Sequence, residues 1–279
     1  MPITGSPFAV NDNVGMGPYD MAVSPDNRFL FVTNGGNTVI HVYAIALATG
    51  KLSEIEGSSF VNSAYLSGLW VTAKGRFLLG ASSSINAILV FAVDSSGAIT
   101  QVPGSPFAAN SIVSDVRSNC ANDRVFDADN GSDLIDTYTI SSSGTLTPVP
   151  GSPFYNGATG DGPNSIDLAI TPNGRFLYTT DSFADGFSLF AIAADGALSL
   201  VPGSPFEDFG ALGGMTITDQ GDYLYSVAFE TATVVAEAVQ SDGTLTFVGG
   251  YTDGQISGGG EPNSVIAYPP PVCANAAAQ

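Results

Sequence analysis

The chain has 279 residues, 44% of them apolar and 12% charged, a balance that allows a substantial core and excludes disorder. Its 26 acidic residues against seven lysines and arginines give a formal net charge of −19, which argues against nucleic acid and anionic membrane surfaces as partners, since phosphates need a basic surface. Cationic partners and divalent metal stay open.

In chain order, residues 1–8 read as the close of a strand, ending in Gly5-Ser6-Pro7-Phe8. Residues 20–23 alternate as a strand, Ser24-Pro25-Asp26-Asn27 turns, and 28–33 form a second strand. Asn34-Gly35-Gly36-Asn37 is a hairpin signal, 39–45 a third strand, and 52–56 with Gly57-Ser58-Ser59-Phe60 a fourth. The same rhythm returns around 167–170, 175–178, 187–192 and 198–202. Gly-Ser-Pro-Phe recurs at 104–107, 151–154 and 203–206, so the phrase steps by 52, 47, 47 and 52 residues, and Gly249-Gly250-Tyr251 echoes it 46 further on.

Repeats of this length, each holding four short strands, predict an all-β protein, a β-propeller of four-stranded antiparallel blades lettered A to D from the axis outward. No single unit buries its apolar face alone, so each must pack on the next. Five complete blades are expected at about 15–60, 61–107, 108–154, 155–206 and 207–251, in one domain over 1–271 with a tail at 272–279. Residues 262–270 read as a strand A and 1–8 as a strand D, giving an incomplete composite closing blade. Sequence preceding Met1 is expected to complete it; the alternative is a ring with exposed edges.

The phrases at 22–34 and 146–154 resemble the lactonase-like seven-bladed propeller family, which shares this strand rhythm with the YVTN surface-protein repeats. The resemblance covers nearly the whole chain and rests on turn and core positions. It implies lactone chemistry of the 6-phosphogluconolactonase or muconate-cyclising kind, with His, Arg and Glu facing the central cavity. Here the only histidine, His41, falls in mid-strand C, and four of the five arginines (Arg28, Arg76, Arg124, Arg175) share one repeated slot after the A–B turn. No set of positions accepts that active site residue by residue.

Blade three departs from its siblings. Arg117 stands where they carry Ala22, Trp70, Ala169 or Thr216, and Asp127 aligns with Phe31, Leu79, Tyr178 or Tyr225. Alternation and hairpin pairing then place Asp115, Arg117 and Asp127 on one buried face, predicting an ion cluster that is either a ligand site or a polar patch between blades. A ring of strand-A starts is the second constellation: Asp20, Asp115, Asp167 and Ser264 align, with Gly68 and Gly214 between them, and Asn164 and Asn263 precede two of them in matching Pro-Asn-Ser contexts. Carboxylates converging on one channel mouth could hold calcium, with Asp20, Asp115 and Asp167 as ligands; they could equally accept amides from neighbouring blades. Connections at 9–17, 155–163 and 251–261, carrying Asp12, Asp161 and Glu261, are expected around the same mouth. The stretch 127–133 superficially resembles a calcium loop but lacks the distal Glu, so a hairpin is expected; Asn130-Gly131-Ser132 is a glycosylation sequon.

Cys120 and Cys273 both follow an inner strand on the same face, so a disulfide clasping the ring is feasible in an oxidising compartment, with two free thiols as the alternative. No leader is visible in the first residues, yet a composition rich in Ser, Thr, Asn and Gly favours an extracytoplasmic or secreted location. Expected first is a binding or scaffold propeller with a small molecule or protein at an acidic channel mouth and no membrane insertion. The alternative is a sugar-lactone hydrolase, for which only the ring aspartates and Arg117 could supply base and carbonyl clamp.

Overall fold

The structure, a computed structural model, describes residues 6, 8, 18–35, 37–55, 60, 61, 64–157, 165–181, 186–207, 212–228 and 231–252. They form five antiparallel sheets arranged as propeller blades. Blade 1 holds β1 (Pro18–Val23), β2 (Phe29–Asn34), β3 (Val39–Ala46) and an outer edge made of β4 (Lys51–Glu54) and β5 (Phe60–Val61). Blade 2 holds β6 (Gly68–Val71), β7 (Phe77–Ser82), β8 (Ala87–Val93), β9 (Ile99–Gln101) and β10 (Phe107–Ala108). Blade 3 holds β11 (Val113–Ser118), β12 (Arg124–Asp129), β13 (Leu134–Ile140), β14 (Leu146–Pro148) and β15 (Phe154–Tyr155). Blade 4 holds β16 (Ser165–Ile170), β17 (Phe176–Asp181), β18 (Gly186–Ile192), β19 (Leu198–Leu200) and β20 (Phe206–Glu207). Blade 5 holds β21 (Leu212–Ile217), β22 (Tyr223–Ala228), β23 (Thr233–Val239) and β24 (Leu245–Thr252). The five complete blades expected from the repeat are therefore present; of the expected closing strands, 262–270 lies outside the described residues, as does 1–8 apart from Ser6 and Phe8.

The recurring phrase has a mechanical reason. In blades 2, 3 and 4 the outer strand pairs the C strand twice, with the phrase looping out between the two pairings. The loop would leave one C-strand amide without its ladder partner. The phrase's serine supplies it: Ser105, Ser152 and Ser204 Oγ accept from the amides of Val90 (3.0 Å), Thr137 (2.9 Å) and Leu189 (2.8 Å). The preceding Gly104, Gly151 and Gly203 take φ near 90°, which a side chain would resist, and the following Ser–Pro bonds are cis.

Alternation sends one face of each blade to each neighbour. Phe31, Ile40 and Val42 of blade 1 pack with Leu78, Leu89 and Phe91 of blade 2. Further layers join blades 2 and 3, 3 and 4, and 4 and 5. Arginines clasp the rim: Arg28 donates to the Ser95 carbonyl, Arg76 to Ser142 and Arg175 to Ser241, each in the next blade's C–D turn. Each of these guanidiniums lies over the following phenylalanine, and a turn glycine of the next blade touches that ring.

The shared-slot expectation for Arg124 needs correction. Pairing of Arg117 with Phe126, against Ala22 with Phe31, puts Arg124 one place later, where the siblings carry Phe29, Phe77, Phe176 and Tyr223. It still reaches the Ala194 and Asp195 carbonyls of blade 4, but its own stem fills the space beside Gly196 that a ring fills elsewhere.

Gly243 offers a test of the clasp. Its φ is 86°, and an added Cβ would sit 2.7 Å from Phe176 Cδ1. Gly243→Ala should cost about 2 kcal/mol, from left-handed backbone plus overpacking. Gly174→Ala, also at positive φ but with nothing within 4 Å, should cost clearly less in the same thermal melts. Equal losses would contradict the packing half of the argument.

Candidate site at the inner strands

The aligned aspartates of the inner strands act as inter-blade staples. Asp20 Oδ2 accepts from the Leu69 amide at 2.6 Å, Asp115 Oδ2 from Leu168 at 3.1 Å, and Asp167 Oδ2 from Met215 at 2.7 Å. Each bond runs from one inner strand to the next blade's inner strand, so the amide-acceptor alternative is realised. Blade 2 has Gly68 at this position. A Cβ there would come 3.1 Å from the Ser114 carbonyl and 3.4 Å from Asp115 Oδ1.

Arg117 supplies the compensating charge. It donates through Nη1 to Asp115 and through Nη2 to Asp167 Oδ1 at 2.9 Å, bridging blades 3 and 4. Its guanidinium lies 4.8 Å over the Trp70 ring of blade 2, and Trp70 Nε1 donates to Ser118 Oγ at 3.0 Å. Desolvation raises Asp115 well above the usual carboxylate range even against the Arg117 charge. Asp20 is raised as well, chiefly by desolvation, although the Leu69 amide and Arg117 pull the other way. Tyr65 lies close enough that Asp20 helps raise its hydroxyl, and its ring meets Tyr19 edge to face at 5.4 Å. The inner-strand site is thus Asp20, Asp115, Arg117 and Asp167, with Trp70, Tyr19 and Tyr65 beside them. Sequence reasoning missed the aromatic half, although Trp70 shares its aligned slot with Arg117 and Tyr19 directly precedes Asp20.

Asp127 does not join this cluster. It pairs with Val116, while Asp115 pairs with Ala128, so Asp127 sits on the opposite face. The slip in the expectation follows from aligning Arg124 with its sibling arginines; the pairing instead matches Asp127 to Val32 of blade 1. Asp127 belongs to a separate buried acidic group with Asp129 and Asp136 between blades 2 and 3. Asp127 Oδ1 takes the Asp136 amide at 3.1 Å, Asp136 is gripped by the Asn110 side chain at 2.7 and 2.9 Å, and Ser132 donates to Asp129 at 2.9 Å. Burial, then the neighbouring carboxylates, push Asp127 well up, and burial pushes Asp129 up to about 6. Among the described residues no group of three or more His, Cys, Asp and Glu is arranged to hold a metal ion.

His41 is buried in β3 with Nδ1 2.9 Å from Glu54 Oε1, on the outer half of its blade. Asn164, Asn263, Ser264, Asp12, Asp161 and Glu261 lie outside the described residues. Cys120, in the turn between β11 and β12, is disulfide-bonded, and Cys273 also lies outside them. If these two form the clasp, reduction should raise the intact mass by two hydrogens and expose two alkylatable thiols; an unchanged mass would rule it out.

The blades and the inner-strand cluster define a β-propeller whose axis is lined by carboxylates around one arginine. Residues 6–111 match the family described as Lactonase, 7-bladed β-propeller. That stretch of the chain is thus similar to the family that the repeat phrases resemble. A stretch of 93 residues is 36% identical to the 6-phosphogluconolactonase of Serratia proteamaculans, covering 33% of this chain and 28% of that protein. The Pectobacterium carotovorum enzyme of the same name matches equally, with 27% of its length covered. The matched stretch is thus under a third of either relative. A periplasmic gluconolactonase of Pseudomonas aeruginosa superposes with a TM-score of 0.70 at 22% identity, over 85% of this chain and 72% of that one. A Bacteroides fragilis structure titled as a putative 6-phosphogluconolactonase gives 0.67 at 21%, over 84% and 71%. Those two likenesses speak to the fold.

Proposed function

We propose that the protein hydrolyses a sugar lactone at the inner-strand site. The observation that carries this reading is the family match joined to relatives named for lactone hydrolysis. It takes precedence over the binding or scaffold role that composition suggests. Arg117 is the inner-strand cation whose field, acting from its pairs with Asp115 and Asp167 and not through a free arm, can steady the oxyanion formed when water adds. Asp20 is the candidate base: desolvation raises it toward working pH, and it is not directly paired to Arg117 in the way Asp115 and Asp167 are. Water adds to the carbonyl carbon, the ring C–O bond breaks, and the proton taken from water passes to the departing ring oxygen. The product is an open hydroxy acid, which ionises at neutral pH.

The test is turnover of a lactone panel by the purified protein and by Asp20→Asn, which keeps an acceptor for the Leu69 amide. Hydrolysis should be present and should fall about 100-fold or more in the variant with the fold intact by circular dichroism. Turnover unchanged in Asp20→Asn would remove Asp20 as base. Saturable binding without turnover of any lactone would restore the binding role.

A further inference from the structure

The topology places six of the seven lysines and arginines of this chain on one face. All seven lysines and arginines lie among the described residues. Arg28, Arg76 and Arg175 directly precede B strands, Arg124 opens one, Lys74 lies in an A–B turn, and Lys51 opens a D strand. In an antiparallel blade these positions all fall at the end opposite the start of strand A. The four rim arginines are in addition tied to carbonyls of the neighbouring blade.

The other end carries carboxylates. Asp20, Asp115 and Asp167 stand in the inner strands, Asp129 and Asp181 close B strands, Asp133 lies in a B–C turn, and Asp136 stands near the start of a C strand. Arg117 is the cation on this side, and Asp115 and Asp167 occupy both of its arms. Beside Asp20, Tyr19 and Tyr65 present ring edges and faces, with Tyr19 59% exposed.

We infer that the inner-strand site accepts an uncharged sugar lactone and turns away the phosphorylated form, a statement that rests on the lactone-hydrolysis reading. A phosphomonoester brings nearly two negative charges at neutral pH and needs arginine, lysine or an array of free amides to receive it. Here it meets a mouth whose field is anionic, where low-dielectric walls focus repulsion. An unphosphorylated ring meets no such repulsion. Its C–H face can lie on tyrosine, and its hydroxyls can donate to carboxylate oxygens.

The experiment compares glucono-1,5-lactone with its 6-phosphate on the full chain, following acid release at low and at raised ionic strength. The uncharged lactone should be preferred by roughly 100-fold in kcat/KM at low salt, and the gap should narrow as salt screens the mouth. A second variant, Ile112→Lys, adds a cation at an exposed position just before β11. It should raise phospholactone turnover several-fold and leave the uncharged substrate unaffected. Equal or better turnover of the phospholactone by the unmodified chain would overturn the inference while leaving hydrolysis standing. Turnover of neither lactone would remove hydrolysis itself and this inference with it.

Discussion

Glu237→Gln is expected to stabilise the protein at pH 8 and to flatten its stability between pH 4.5 and 8. Glu237 lies in β23, paired with Leu224 and Phe247, and is fully buried with both carboxyl oxygens lacking hydrogen-bond partners. The other four blades place Tyr43, Phe91, Tyr138 and Phe190 at this position, each paired with the equivalent B-strand residue. Burial raises the Glu237 carboxyl from 4.5 to about 7. A group raised on folding contributes its full stability below the unfolded value and loses it as pH climbs through the folded one. The wild type should therefore lose about 3 kcal/mol from this residue alone between pH 4.5 and 7. Urea melts of both forms across that range measure it as the difference in slope, which cancels the other carboxylates. Glu237→Phe, which restores the aromatic of the other blades, should stabilise at every pH. Parallel pH profiles for wild type and Glu237→Gln would show that the carboxyl is hydrated or paired after all.

The second large effect is expected at Arg117. Arg117→Met keeps the stem packed by Trp70 but leaves Asp115 and Asp167 facing each other without a cation. Breaking a buried ion pair from one side typically costs about 3–5 kcal/mol, because the surviving charge keeps its desolvation penalty. The loss should be greatest at pH 8 and shrink toward pH 5, since protonation of Asp115, already raised by burial, relieves it. Arg117→Lys should recover part of the stability but not the two-armed bridge. A pH-independent loss for Arg117→Met would mean that packing on Trp70, and not charge, is what the residue contributes.

Shape was more legible than chemistry because turn phrases repeat and chemistry-bearing residues break the repeat. Gly-Ser-Pro-Phe recurs because each outer strand needs the same serine to mend the same ladder, so the blade count follows from the phrase. The aligned Asp20, Asp115 and Asp167 were visible for the same reason: each performs one task between consecutive inner strands. Asp127 was misplaced because Arg124 imitates its sibling arginines in sequence while occupying the phenylalanine position in space, and a single step of register exchanges the two faces of a strand. Asp136 and Glu237 lie in C strands, which are the least punctuated by glycine and proline. Comparing Glu237 with the aromatics of the other blades would have exposed it. Arg117's second partner, Asp167, comes from the following blade, and no pairing within one repeat could reveal it.

The most direct test of the site is the pH dependence of kcat/KM for hydrolysis of an uncharged lactone, wild type against Asp20→Asn. The rate should rise with pH through a value above the ordinary aspartate range near 3.9, set by the desolvated Asp20, and this limb should vanish in the variant. An identical profile in Asp20→Asn would contradict the assignment of the chemistry to the inner-strand carboxylates.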